Sequence, residues 1–72
     1  MSLLEVRIQQ DGWTYTKVRV DLDPSNTKAL RDVAFGEMRR KGWRPEVPEH
    51  RARFSAHVVE VKHPDRYFDL AL

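Results

Sequence analysis

The chain contains no cysteine, so neither a disulfide nor a thiolate metal site can reinforce its core. Glycine is scarce: Gly12, Gly36 and Gly42 stand alone, which excludes the clustered glycines of phosphate-binding and dinucleotide-binding loops. No apolar run approaches the roughly 18 residues of a membrane span. Met1-Ser2-Leu3-Leu4-Glu5 has no basic segment leading into an apolar stretch, so the expectation is a cytoplasmic protein without a signal peptide and without membrane contact. What is there is 72 residues with 33% charged side chains, read as one small domain over 1–72. That length lies near the lower limit for folding alone, and without disulfides or metal the usual remaining aid is a homodimer or a place in a larger complex.

Residues suited to catalysis are present but poorly placed for it. Ser2, Ser25 and Ser55 fall at a terminus, a helix start and a strand, none in a strained elbow. His57 and His63 are about 20 Å apart along an extended segment, too far to hold one ion, and His50 lies in a loop, so no metal is expected. Asp21 and Asp23 flank a strand end, and Glu46 and Glu49 sit in a proline loop, where capping and solubility account for them. The expectation is a protein that is not an enzyme and carries no cofactor.

Charge is low overall, at a formal +2, but unevenly placed. From Arg39 to Arg53 six cations face two carboxylates, and nearly all the surplus positive charge lies there.

Hydropathy periodicity supplies the elements. Leu4, Val6 and Ile8 alternate with Glu5, Arg7 and Gln9, and Thr14, Thr16, Val18, Val20 and Leu22 alternate after Asp11-Gly12, which predicts a β-hairpin. A two-residue Asp11-Gly12 turn in uninterrupted register would oppose Val6 to Lys17 and Leu4 to Arg19. A three-residue loop with Gly12 as a bulge instead pairs Ile8 with Thr14, Val6 with Thr16 and Leu4 with Val18, and burial favours it. Asp23 to Thr27 is rich in helix-start residues, and Leu30, Val33, Ala34 and Met38 recur at helical spacing, predicting a helix from about Ser25 to Lys41. Gly42 suits the left-handed position after it, with Trp43 reaching back to Met38. Gly36 inside this helix suggests the close approach of another backbone, and Phe35 lies off the apolar stripe, towards solvent. Arg44 to Arg51, with two prolines, reads as an extended loop.

Arg53 to Lys62 reads as a strand with a bulge near Val58, and Tyr67 to Leu72 as its partner across a turn centred on Pro64-Asp65, opposing Val61 to Phe68 and Val59 to Leu70. A short C-terminal helix begun by Pro64-Asp65 is the alternative. The expected fold is α+β: an antiparallel sheet in the order ββαββ with one helix packed on one face.

Two surfaces stand out. The first is the basic helix end and loop, with Arg39, Arg40, Lys41, Trp43, Arg44, Arg51 and Arg53. Arginine forks suit phosphate contact and stacking, so nucleic acid is the expected partner. The same cations also obey the helix-dipole preference, with Glu46 and Glu49 as local counter-charges. The second is the uncovered sheet face, expected to carry Leu3, Arg7, Trp13, Tyr15, Lys17, Arg19, Lys62 and Tyr67. Aromatics among cations there suit either stacked bases or burial against a partner protein or a second copy. The sequence thus points to a small non-catalytic interaction module, nucleic-acid binding through the basic segment or, alternatively, protein-binding through the aromatic face.

Overall fold

The structure, a computed structural model, describes residues 2–72. Four strands and one long helix follow in the order β1 (Ser2–Gln10), β2 (Trp13–Leu22), α1 (Thr27–Arg40), the single turn α2 (Pro48–Arg51), β3 (Phe54–Glu60) and β4 (His63–Leu70). The strands form one antiparallel sheet in the spatial order β2-β1-β3-β4, with α1 across one face. The ββαββ expectation holds, and the C-terminal segment is strand rather than helix. No helix is long and apolar enough to cross a membrane among the described residues.

The core follows from parity. Leu4, Val6 and Ile8 of β1, Phe54, Ala56 and Val58 of β3, and Leu70 of β4 face Leu30, Ala34 and Met38 of α1. Three of these, at i, i+4 and i+8 along α1, form the stripe that a 3.6-residue period lays against a sheet. Phe35 also contributes, half-buried against the core rather than turned to solvent.

α1 starts two residues later than expected and is capped at both ends by its own sequence. Asn26 Oδ1 accepts the Ala29 N–H at 3.2 Å, while Asp23 Oδ1 accepts both the N–H and the hydroxyl of Ser25 and holds the approach. At the other end Trp43 N–H donates to Met38 O and Gly42 N–H to Arg39 O, both at 3.0 Å, with Gly42 at φ 92°. This is the predicted Schellman cap. Gly36 marks no close approach: a Cβ there meets nothing within 4 Å. The Arg44 to Arg51 segment is not extended throughout, because Pro48 at the first helical position starts α2 and Pro45 is fully buried.

The strand registers differ from those expected. Hairpin β1-β2 closes through the two-residue turn Asp11-Gly12, with φ of 52° and 87°, as a primed turn requires. Gln10 pairs with Trp13 and Gln9 with Thr14, after which Tyr15 is an extra residue on β2. Beyond that bulge Ile8 pairs with Thr16, Val6 with Val18 and Leu4 with Val20. The conflict between turn and burial is thus resolved inside the strand rather than in the loop. β3 pairs with β1 without interruption, so there is no bulge at Val58; His57 and Val59 lie on the face away from α1. Hairpin β3-β4 turns at Val61-Lys62, pairing Glu60 with His63, and Pro64, Asp65 and Arg66 are looped out before Val59 meets Tyr67 and Val58 meets Phe68. Pro64 has no N–H to give a ladder, which suits an edge strand interrupted there.

Candidate nucleic-acid interface

One end of the molecule is assembled from three separate stretches of chain: the β1-β2 turn, the end of α1 with the loop after it, and the entry to β3. Asp11 N–H donates to the Arg53 carbonyl at 2.9 Å, and the Arg53 guanidinium grips the Asp11 carboxylate, Nη2 to Oδ2 at 2.6 Å. That ion pair holds the Asp11 carboxyl below the usual aspartate range and raises the Arg53 pKa further.

Aromatic rings line the junction. Phe54 packs nearly perpendicular to two of them, with ring centres 5.1 Å from Tyr15 and 5.2 Å from Trp43, and His50 packs likewise on Trp43 at 5.3 Å. Two cations cap this cluster: Lys41 Nζ lies 4.5 Å from the Tyr15 ring centre, and the Arg53 guanidinium carbon 5.1 Å from that of Trp43. Burial pushes the Tyr15 hydroxyl pKa up, tempered by the neighbouring Trp43 side chain. The hydroxyl oxygen nevertheless has no hydrogen-bond partner among the described residues. Trp13, the residue directly after the turn, stands 79% exposed.

The six cations of the basic segment do not act alike. Arg40 binds Glu37 at 2.9 Å, Arg39 reaches Glu46 at 3.8 Å, and Arg53 is committed to Asp11. Arg51, half-buried, donates from Nη1 to the Pro45 carbonyl at 3.0 Å and so clamps the loop. Lys41 and Arg44 have no carboxylate partner among the described residues. His50 and Asp11, which sequence reasoning passed over, organise the site. His50 Nδ1 accepts the Arg44 backbone N–H at 3.1 Å, positioning that arginine beside Trp43. No local pattern marks His50 for this; the Asp11-Gly12 dipeptide is a turn signal, but it says nothing of Arg53.

The second expected surface is only partly realised. Tyr15 lies on the α1 side of the sheet, packed on Phe54 and the core, not on the uncovered face. Trp13 pairs with Gln10, which also pairs with Phe54, so it too takes the helix-side parity at the turn. The two-residue turn causes both corrections, and the bulge at Tyr15 then brings Thr16, Val18 and Val20 to that same side. Lys62 is in the β3-β4 turn. Arg7, Lys17, Arg19 and Tyr67 do occupy the outer face, with Leu3 at its edge. There Glu5 binds Arg7 at 2.7 Å and Arg19 at 3.4 Å, and the hydrogen bond from Arg7 holds its carboxyl below the usual range. Beside them Arg7, His57, Val59, Pro64, Tyr67 and Asp69 line a shallow groove of about 430 Å³.

In comparisons with protein families, curated proteins and solved structures, the chain matches none.

Proposed function

We propose that this protein is a non-catalytic module that binds single-stranded nucleic acid through the end built around Trp13, Lys41, Trp43 and Arg44. The observation that carries the reading is the convergence there of an exposed indole with cations from a different part of the chain, joined through Asp11 and Arg53. A single strand offers phosphates to Lys41 and Arg44 and an unpaired base to stack on Trp13. Arg39 supplies further charge, since its exposed pair with Glu46 is weak enough to exchange for phosphate, and the exposed guanidinium of Arg40 adds to it beside the more buried Glu37. Arg51 and Arg53 hold the platform together and contribute mainly through structure.

An electrophoretic shift assay with single- and double-stranded DNA and RNA tests this. Binding should weaken steeply between about 50 and 200 mM salt, and single strands should bind more tightly than duplexes. Trp13→Ala should cost about 1–3 kcal/mol of binding, the range for a stacked base. The combined change Arg39→Ala, Arg40→Ala and Arg44→Ala should abolish the shift while leaving helicity intact. If no probe shifts at the lowest salt, the reading fails.

A second reading, a protein-binding factor, keeps the outer-face groove and its exposed Tyr67. Its contact surface is Arg7, Lys17, Arg19 and Tyr67, without Trp13 and Tyr15. Such an interface should respond little to salt.

A further inference from the structure

The two edges of the sheet are treated differently. β4 is interrupted by Pro64 and by the residues looped out beside it, which breaks the row of backbone groups that an edge offers to another strand. β2 has no such protection beyond Tyr15: from Thr16 to Leu22 it runs in unbroken register along β1, with no proline. On the α1 side this edge shows Thr16, Val18, Val20 and Leu22, all half-buried and uncharged. On the outer side it shows Lys17, Arg19 and Asp21, all exposed. An uninterrupted edge with an aliphatic side is an adhesive one unless its charges oppose pairing or something covers it.

The order of charges selects the cover. We infer that β2 pairs antiparallel with β2 of a second copy about a two-fold axis at Val20, extending the sheet across both molecules. In that register Val20 meets Val20 of the other copy and Val18 meets Leu22. On the outer side Arg19 meets Asp21, and Lys17 comes opposite Asp23, the first residue past the strand, whose carboxylate also holds Ser25. Each cation thus faces a carboxylate, and the aliphatic row stays continuous on the α1 side. Neighbouring registers are worse. An axis at Arg19 sets Arg19 against itself, and an axis at Val18 sets Lys17 against Arg19. An axis between two residues opposes Val20 to a charged side chain. The charge pattern of this edge is therefore self-complementary in one register, as an isologous interface requires.

The absence of cysteine makes the register directly testable in the full chain. Val20→Cys should cross-link to a covalent dimer under mild oxidation, because directly opposed residues in an antiparallel pair approach disulfide distance. Val18→Cys and Leu22→Cys should each remain uncross-linked alone and cross-link to one another when mixed. In sedimentation, Asp21→Lys should weaken dimerisation about tenfold or more, since it turns two symmetry-related attractions into repulsions. The swap Arg19→Asp with Asp21→Arg should restore it. Circular dichroism confirms that each variant is folded. A wild-type chain that stays monomeric at its highest soluble concentration overturns the inference, and so does a dimer in which Val20→Cys fails to cross-link.

Discussion

Asp11 and Arg53, 42 positions apart in the chain, are joined twice: by a backbone hydrogen bond of 2.9 Å and by a carboxylate–guanidinium contact of 2.6 Å. The backbone bond ties the tip of the first hairpin to the entry of β3. The side-chain contact carries Arg53 over Trp43. Through this junction the turn, the aromatic cluster and the end of α1 become one surface.

Because the Asp11 pKa is lower in the folded chain than its ordinary value, mainly through the Arg53 hydrogen bond, its stabilisation is present above the ordinary aspartate range. It is lost as pH falls from about 4 through the depressed value. Urea midpoints measured as a function of pH should show this loss. Asp11→Asn should be less stable at neutral pH and show a flatter acid limb. An acid limb as steep as that of the wild type would exclude Asp11 as a contributor. Glu5 and Asp23, also held low by their partners, should supply the slope that remains.

Gly36 and Gly42 make a controlled pair, since a Cβ at either meets nothing within 4 Å and only Gly42 has a positive φ. Gly36→Ala should stabilise by about 0.5–1 kcal/mol through helix propensity. Gly42→Ala should destabilise by about 1–2 kcal/mol, the cost of a side chain in the left-handed region. Thermal melts of the two variants should move in opposite directions.

The unpartnered Tyr15 hydroxyl makes Tyr15→Phe a gain or a neutral change. Removing a buried polar group that makes no bond should leave stability unchanged or raise it by up to about 1 kcal/mol, with the edge contact to Phe54 retained. A loss of similar size in chemical denaturation would show that the hydroxyl is bonded in solution.

If the basic end binds phosphate, its carboxylates compete with the ligand. Glu46→Gln, which releases Arg39, should tighten binding of a single-stranded probe and steepen its salt dependence by up to about one unit of slope. A titration showing no change would mean that Arg39 does not reach the strand.

The hairpin shows where sequence reasoning fell short. The Asp11-Gly12 dipeptide signalled a primed two-residue turn, and burial demanded that aliphatic residues face one another. Both demands are met because Tyr15 is expelled from the ladder, a solution that neither local turn chemistry nor simple alternation contains. The two-residue turn set Trp13 and Tyr15 on the α1 side, the bulge returned Val18 and Val20 to it, and the aromatic sheet face shrank to Tyr67. The positive charge of Arg39 to Arg53 was countable, but how much of it is neutralised was not. Asp11 and Glu37 lie outside that segment, and Arg51 is spent on a loop carbonyl.

The amino-acid sequence alone determined the order of the four strands and the long helix, the C-terminal cap of α1 and the aliphatic stripe beneath it. These depend on side chains no more than a few positions apart and on periods of two and 3.6 residues. Only the tertiary structure decided the registers, the side of the sheet taken by Trp13 and Tyr15, and which cations stay without a carboxylate. Those outcomes rest on contacts between distant stretches such as Asp11 with Arg53, which form only once the sheet has closed.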